Sequence, residues 1–446
     1  MRIKTAIICL VGAITCSAQE SEVPLHNYSL RQCIDYAISH NITVRQSANN
    51  VEQSAVDIST AKWARLPNLN GSAGQNWRWG RNSVTETDKD GNQYQVYKNT
   101  YNYGTNASLS TEIPLFTGFE IPNQYALAKL NFKAATADLE KAKEDIAIQV
   151  ASAYLKVLLT QELKQVAINQ VELSKEQSNR IVRLFEVGKA SPSEVAEAKS
   201  RVAQDELSVT QSDNDYQLAL LDLSQLLELS NPHLLSIQKA DTTFVTTLLT
   251  PPDEIYQYAV TNKPEIQAAQ YRLLGSEKSI RIAQSGFYPQ LNLGGNWGTG
   301  FSSDLKNNFG TQMRENRNKS IAFSLSVPLF NRFATRNRVR TARLQHFNQN
   351  LKLDNAKKVL YKEIQQAWYN ALAAESKYNS SEVAVKASEE SFRLMNEKFN
   401  NGKATFVEYN EAKLNLTKAL SDKLQAKYDY LFRTKILDFY KGQVIE

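Results

Sequence analysis

LNGSAGQNWRW, residues Leu69–Trp79, alternates at every position. Its odd residues are Leu69, Gly71, Ala73, Gln75, Trp77 and Trp79; its even residues are Asn70, Ser72, Gly74, Asn76 and Arg78. YNYGTNASLSTEI, residues Tyr101–Ile113, sorts in the same way: Leu109 and Ile113 fall on one face, Asn102, Asn106 and Glu112 on the other. Leu291–Phe301 and Ile321–Leu329 repeat the pattern, the last with Ile321, Phe323, Leu325, Val327 and Leu329 against Ala322, Ser324, Ser326 and Pro328. A period of two predicts strands with one apolar and one polar face. Lengths of about 9–13 residues match tilted strands that span a membrane. Trp77, Trp79, Tyr101, Tyr103, Trp297 and Phe301 gather toward the loop ends, as an aromatic girdle at lipid headgroups would. The loops near Thr85–Asn92 and Ser302–Lys319 are polar and charged. The competing reading is a water-soluble amphipathic sheet packed on helices.

Four strands cannot close a barrel. An open sheet edge in lipid leaves backbone N–H and C=O groups without water, and the smallest common closed barrel has about eight strands. Several chains must therefore share one barrel; two would supply 8 strands and three would supply 12.

The chain also contains itself twice. Leu66-Pro67-Asn68-Leu69-Asn70 returns 222 residues later as Tyr288-Pro289-Gln290-Leu291-Asn292. Ile113-Pro114-Leu115-Phe116 returns after 214 as Val327-Pro328-Leu329-Phe330. Gly188-Lys189-Ala190 and Glu197-Ala198-Lys199 return at the same 214, as Gly402-Lys403-Ala404 and Glu411-Ala412-Lys413. The drop of eight predicts one longer loop in the first half. Each half reads as a helical stretch (Leu30–Ala64 or Pro252–Ser285), a β-hairpin, a very long helix, a Gly turn and a second helix. The expected organisation is a signal peptide over 1–18, a first repeat over 19–229 with a β-hairpin at 66–113 and a helical hairpin at 121–229, and a linker over 230–251. A second repeat then covers 252–446, with a β-hairpin at 288–330 and a helical hairpin at 333–442. Asn231-Pro232 and Pro251-Pro252 punctuate the linker.

From Ile121 there is no Pro after Pro122 and no Gly before Gly188. Such a helix is roughly 100 Å long. Phe333–Asn401 likewise lacks both residues. Ile146, Val150, Tyr154 and Leu158 recur every four positions, as do Leu360, Ile364, Trp368 and Leu372, which predicts a coiled-coil-like tube. At the turns, Ser191-Pro192-Ser193-Glu194 and Thr405-Phe406-Val407-Glu408 are capping boxes, and Gly188 and Gly402 end the helices before them. Glu194 and Glu408 are thus helix caps or pore residues; Glu197 and Glu411, one turn on, are solvated or pore residues.

Composition narrows the function. The chain has 446 residues, 42% hydrophobic and 22% charged, a net charge of +6 and a mean hydropathy of −0.44. That excludes a disordered tail, a collagen-like fibre and a multi-span helical membrane protein. Interspersed charge of both signs argues against a nucleic-acid groove. Arg2 and Lys4, the apolar run Ala6–Ile14 and the small residues Cys16-Ser17-Ala18 form an export signal cleaved after Ala18. A lipoprotein signal ending at Cys16 would be poorly served by Thr15 and Ala13. After cleavage only Cys33 remains, so no internal disulfide is expected, and its helical setting predicts a buried apolar role. His26, His40, His233 and His346 are scattered, with no H-E-x-x-H, C-x-x-C or G-x-S-x-G motif. Gly294-Gly295 and Gly298–Gly300 lie in a strand pattern rather than a phosphate loop. No catalytic residue, metal or cofactor is expected.

The ordered, doubled motifs resemble the TolC-like outer-membrane efflux proteins, the outer membrane factors of tripartite pumps. The resemblance spans nearly the whole mature chain and rests on Pro67 and Pro289, on Pro114–Phe116 and Pro328–Phe330, and on the turns Val187–Ala190 and Asn401–Ala404. It implies an α+β membrane protein. Four strands per chain would build a trimeric 12-stranded barrel in the outer membrane, continued by a long periplasmic α-helical barrel. It implies a homotrimer set in outer-membrane lipid, working with a periplasmic adaptor and a proton-driven transporter of the inner membrane. It places adaptor docking at Val187, Gly188, Lys189, Gly402 and Lys403. An acidic entrance ring would form at Glu408 and Glu411, longer than the Asp usual in the family, with Glu194 and Glu197 beside it. Relatives that lock the tip use Tyr and Arg near the second turn; this chain has Phe399 and Ala404 there, and Glu194 would meet Lys403 or Lys189 instead. The expected function is passive conduction for an efflux or export system. The alternatives are an outer-membrane channel of one-step (type I) protein secretion and a periplasmic or surface coiled-coil protein that never enters lipid.

Overall fold

A computed structural model of the chain describes residues 28–229, 235–238 and 250–443. The signal peptide over 1–18, Cys16, His26, His233 and most of the linker lie outside the described residues.

The duplication is legible in element lengths. The first repeat runs α1 (Leu30–His40), α2 (Ile42–Trp63), β1 (Asn70–Thr87), β2 (Gln93–Thr117), α3 (Glu120–Glu186) and α4 (Pro192–Leu226). The second runs α5 (Pro252–Asn262), α6 (Pro264–Ser285), β3 (Gln290–Ser302), α7 (Phe309–Glu315), β4 (Asn318–Ser326), α8 (Ala334–Asn400) and α9 (Phe406–Tyr440). The helices correspond pairwise at 11, 22, 67 and 35 residues.

Each first helical stretch, read from the sequence as one helix, is two. The breaks fall at Asn41 and Lys263, which are 222 residues apart and so equivalent. Asn41 is extended; its carboxamide accepts from the Thr43 N–H at 2.9 Å and donates to the Leu226 carbonyl at 3.2 Å. At Lys263 the following Pro264 removes the donor that would continue the helix.

The strands pair in the order β1-β2-β3-β4, all antiparallel. Gly71 opposes Leu109, and the residues 222 and 214 further on, Leu293 and Phe323, oppose each other as well. The duplication therefore holds through the paired strands. The eight extra residues of the first half do not make a longer loop: β1 and β2 continue past the end of β3, and only Asp88–Asn92 turns between them. In the second half the polar loop instead folds about two turns of helix, α7. β4 stops at Ser326, so Val327–Leu329 leave the strand expected over Ile321–Leu329.

Inward-facing residues of the helices form the core. Ile146, Val150, Tyr154 and Leu158 are all buried, around Cys33, Ala37 and Leu223. Each such aliphatic side chain contributes on the order of 2 kcal/mol by leaving water. The matching stripe on α8 holds at Leu360 and Ile364 but not at Leu372, which is 44% exposed. Steps of four overshoot 3.6 residues per turn, and the buried face passes to Ala367, Ala371 and Ala374. Cys33 is buried, as expected, and burial raises its thiol pKa to about 12. The described linker residues are anchored: Ile237 bridges Tyr28, and the Tyr154 hydroxyl donates to the Gln238 carbonyl at 2.7 Å.

Candidate pore and docking sites

No layer covers the apolar face of the sheet among the described residues. Ile321 is 80% exposed, and Leu69, Trp79, Tyr101, Phe323 and Leu325 are exposed beside it. The short helix α7 touches this face at the loop end, where the rings of Phe309 and Phe301 lie 5.3 Å apart. A soluble sheet would bury these side chains against helices. Five of the six girdle residues share one level. Trp77 opposes Tyr103, Trp79 opposes Tyr101, and the Tyr103 ring lies 5.7 Å from that of Phe301. Trp297 sits deeper, opposite Leu109.

A second aromatic level, missed in the sequence, marks the sheet–helix junction. Phe116 pairs with Leu291, so it shares the apolar face. Its ring meets Phe119 at 5.3 Å, and Phe119 meets Tyr288 at 5.9 Å. Phe330 and Phe333 repeat the first pair at 5.7 Å. Phe119 and Phe333 both have left-handed backbones (φ +67° and +62°), which turn the chain from strand into helix. The signal was available, since both Phe pairs recur at 214. From Tyr103 to Phe116 is thirteen strand positions. At ~3.3 Å each and a tilt near 45°, the levels stand about 30 Å apart, the thickness of a hydrocarbon core.

At the other end the two helical turns pack together. Gly188 (φ +71°) closes α3: the Gly188 N–H bonds the Phe185 carbonyl at 2.9 Å, and the Lys189 N–H bonds the Leu184 carbonyl at 2.8 Å. Gly402 (φ +67°) does the same for α8 through Phe399 and Lys398. Val187, Gly188, Lys189, Gly402 and Lys403 are all exposed. Glu194 and Glu408 are helix caps, accepting from the Ser191 and Thr405 N–H groups at 2.6 and 2.8 Å. These bonds hold both carboxyls below the usual carboxylate range. The caps are therefore complete above the ordinary carboxylate pKa and weaken as pH falls through the lowered value. Glu194 meets neither Lys403 nor Lys189, because capping engages its carboxylate with Ser191. Glu197 and Glu411 are exposed, with no ion-pair partner among the described residues.

Between the turns lies a cluster of Ile181, Ala198, Phe406 and Tyr409. Phe399 stacks on Tyr409 at 4.9 Å, and Arg180 of α3 sits over Phe399 while its guanidinium bonds Asn400. An aromatic pair and an arginine thus meet between the turns, with the Arg supplied by the first hairpin. Above them Lys413, 2% exposed, donates to Ser174 Oγ at 2.5 Å and faces Asp205 at 3.5 Å; Arg201 approaches Asp205 at 3.4 Å. This network joins α9 to α3 and α4.

Comparison with known proteins decides the family. The Outer membrane efflux protein family matches residues 33–228 and 255–442. The chain belongs to this family. It is similar to the outer membrane efflux protein BepC of Brucella suis, 20% identical over 88% of this chain and 80% of that protein. It is similar to the alkaline protease secretion protein AprF of Pseudomonas aeruginosa, 22% identical over 86% and 78%. The solved Campylobacter jejuni CmeC outer membrane channel superposes with a TM-score of 0.77 at 18% identity, over 99% of this chain and 94% of that one. The efflux protein described here therefore has the fold of the TolC-like trimeric channels, with four strands per chain continued by long periplasmic helices. It is an outer-membrane efflux channel.

Proposed function

We propose that three copies close one 12-stranded barrel, that the helical hairpins form a tube into the periplasm, and that substrates pass through without chemistry on this chain. The carrying observation is an open four-stranded sheet with an uncovered apolar face. Each unpaired edge would cost several kcal/mol per backbone group in lipid. Even-numbered strand residues, including Asn76, Asn106 and Ser324, line the water-filled lumen. Periplasmic adaptor binds the exposed turns at Val187–Lys189 and Gly402–Lys403, and a proton-driven inner-membrane transporter supplies the energy.

In this reading Glu408 and Glu411 ring the periplasmic opening, with Glu194 and Glu197 outside them. Such a ring favours cations. Glu408→Gln with Glu411→Gln will lower cation selectivity in planar-bilayer recordings; unchanged reversal potentials would take these residues out of the pore. Glu408 stays ionised in its cap, so each single variant will give part of the change and the double variant the whole of it.

Gly188 and Gly402 have open space around them, so a side chain there meets no neighbour. Their positive φ still costs a β-branched residue about 1–2 kcal/mol. Gly402→Val will weaken adaptor capture while the purified protein stays trimeric. Capture equal to wild type would place the docking surface elsewhere.

The similarity to AprF favours protein export as a second reading. Deleting the gene separates the two. Raised susceptibility to a compound panel supports efflux. Unchanged susceptibility with a protein lost from the medium supports secretion.

A further inference from the structure

Five arginines lie at the start of α8 or just before it, Arg332 ahead of the helix and Arg336, Arg338, Arg340 and Arg343 on it, with no Asp or Glu before Asp354. None of the five makes an ion pair or side-chain hydrogen bond among the described residues. They also crowd the positive end of a helix dipole, where cations are disfavoured. Arg332 has a left-handed backbone (φ +54°) at the position that Gly118 fills in the first repeat. The other equivalents of the first repeat, Pro122, Gln124, Ala126 and Lys129, include a single cation.

Three of the four arginines on the helix share a side. Arg336, Arg340 and Arg343 fall on one stripe at helical spacing, while Arg338 faces away. Arg336, Arg340 and Arg343 line a cavity of about 650 Å³ with Phe287 and Phe333. The Arg336 guanidinium lies 5.9 Å from the Phe333 ring centroid. Phe333 and Phe330 repeat Phe119 and Phe116, and Phe116 lies on the apolar face of the sheet. The stripe therefore continues that face downward, about 5–15 Å below the Phe333 level at 1.5 Å per residue. The first-repeat helix α3 is flanked on both sides within the chain, by α2 and α6. Of its equivalent positions Pro122 and Lys129 stay exposed and Ala126 is half-buried. By the repeat, a neighbouring copy packed beside α8 in the same way would leave Arg336 and Arg343 open.

We propose that this stripe binds the phosphates of anionic phospholipid headgroups in the periplasmic leaflet of the outer membrane. Guanidinium forks match phosphate oxygens in pairs, and the neighbouring rings take the glycerol and upper acyl region. The inference rests on the membrane placement of the sheet.

The test uses the full assembly purified in detergent. It is titrated with phosphatidylglycerol or phosphatidylcholine, and bound lipids are counted by native mass spectrometry. Wild type will prefer phosphatidylglycerol. Arg336→Gln, Arg340→Gln and Arg343→Gln together will lower that preference at least tenfold and leave phosphatidylcholine binding unchanged; the triple Lys variant will keep most of it. If the triple Gln variant does not assemble, Arg343→Gln alone gives the reading, with a several-fold loss expected. Undiminished preference in an assembled Gln variant, or no preference in wild type, overturns the proposal. So does displacement of phosphatidylglycerol by millimolar inorganic phosphate, which would make this a free-anion site. Failure of wild type to insert into bilayers would instead defeat the membrane placement itself.

Discussion

A chain carrying Ala73→Cys and Leu325→Cys will become a covalent trimer on oxidation, visible on a non-reducing denaturing gel. The expectation follows from the duplication. Within one chain, β2 of the first repeat pairs with β3 of the second, and Thr111 opposes Gly295. Closing the barrel requires β4 of one copy to meet β1 of the next, which is the same kind of junction, second repeat to first. Moving Thr111 forward by 214 gives Leu325; moving Gly295 back by 222 gives Ala73. Directly opposed antiparallel residues have Cα atoms about 4.5–5.5 Å apart, within the span of a disulfide. Cys33 is buried and will not compete. Leu325→Cys with Gly74→Cys is the control, because a one-residue slip puts the two thiols on opposite faces. The product also counts the copies. A ring of two would stop at a linked dimer and a ring of three at a linked trimer. Monomer alone would defeat the shared barrel.

The sheet was legible because alternation at period two survives without any partner. The extended ends of β1 and β2 were not. Beyond Gly80 the sequence (Arg81, Asn82, Ser83) is polar on both faces, so nothing in it separates strand from loop. The capping boxes were legible because caps are local, fixed by residues three apart. Asn41 hid a helix break because its cap reaches a distant carbonyl, that of Leu226. Lys413 was illegible for another reason. It belongs to Glu411-Ala412-Lys413, repeated from Glu197-Ala198-Lys199, yet Lys199 is exposed and Lys413 buried. One motif has two fates because α9 lies against α3, while among the described residues α4 does not pack on α8 in the same way.

That burial sets up the other large effect. Lys413→Ala will leave the Asp205 carboxylate, 6% exposed, with Arg201 at 3.4 Å and the Ser174 hydroxyl as its remaining partners. Removing one member of a buried pair costs about 3–5 kcal/mol when the other is left uncompensated, and the partners that remain put this variant at the low end of that range. Asp205→Leu will cost a similar amount by orphaning the ammonium. Burial already pushes the Lys413 pKa below the usual lysine range. The Asp205→Leu defect will therefore be full at neutral pH and recede as pH rises through that lowered value, where the amine becomes neutral. Lys413→Met with Asp205→Leu removes both charges and keeps the volume, and will return close to wild type. The readouts are the melting of the periplasmic helices by circular dichroism and single-channel conductance. Because Lys413 ties α9 to Ser174 of α3 and Asp205 of α4, the single variants will also loosen the tip and raise the open fraction. If the double variant melts as low as either single one, the network holds the hairpins by packing rather than by charge, and the electrostatic account fails.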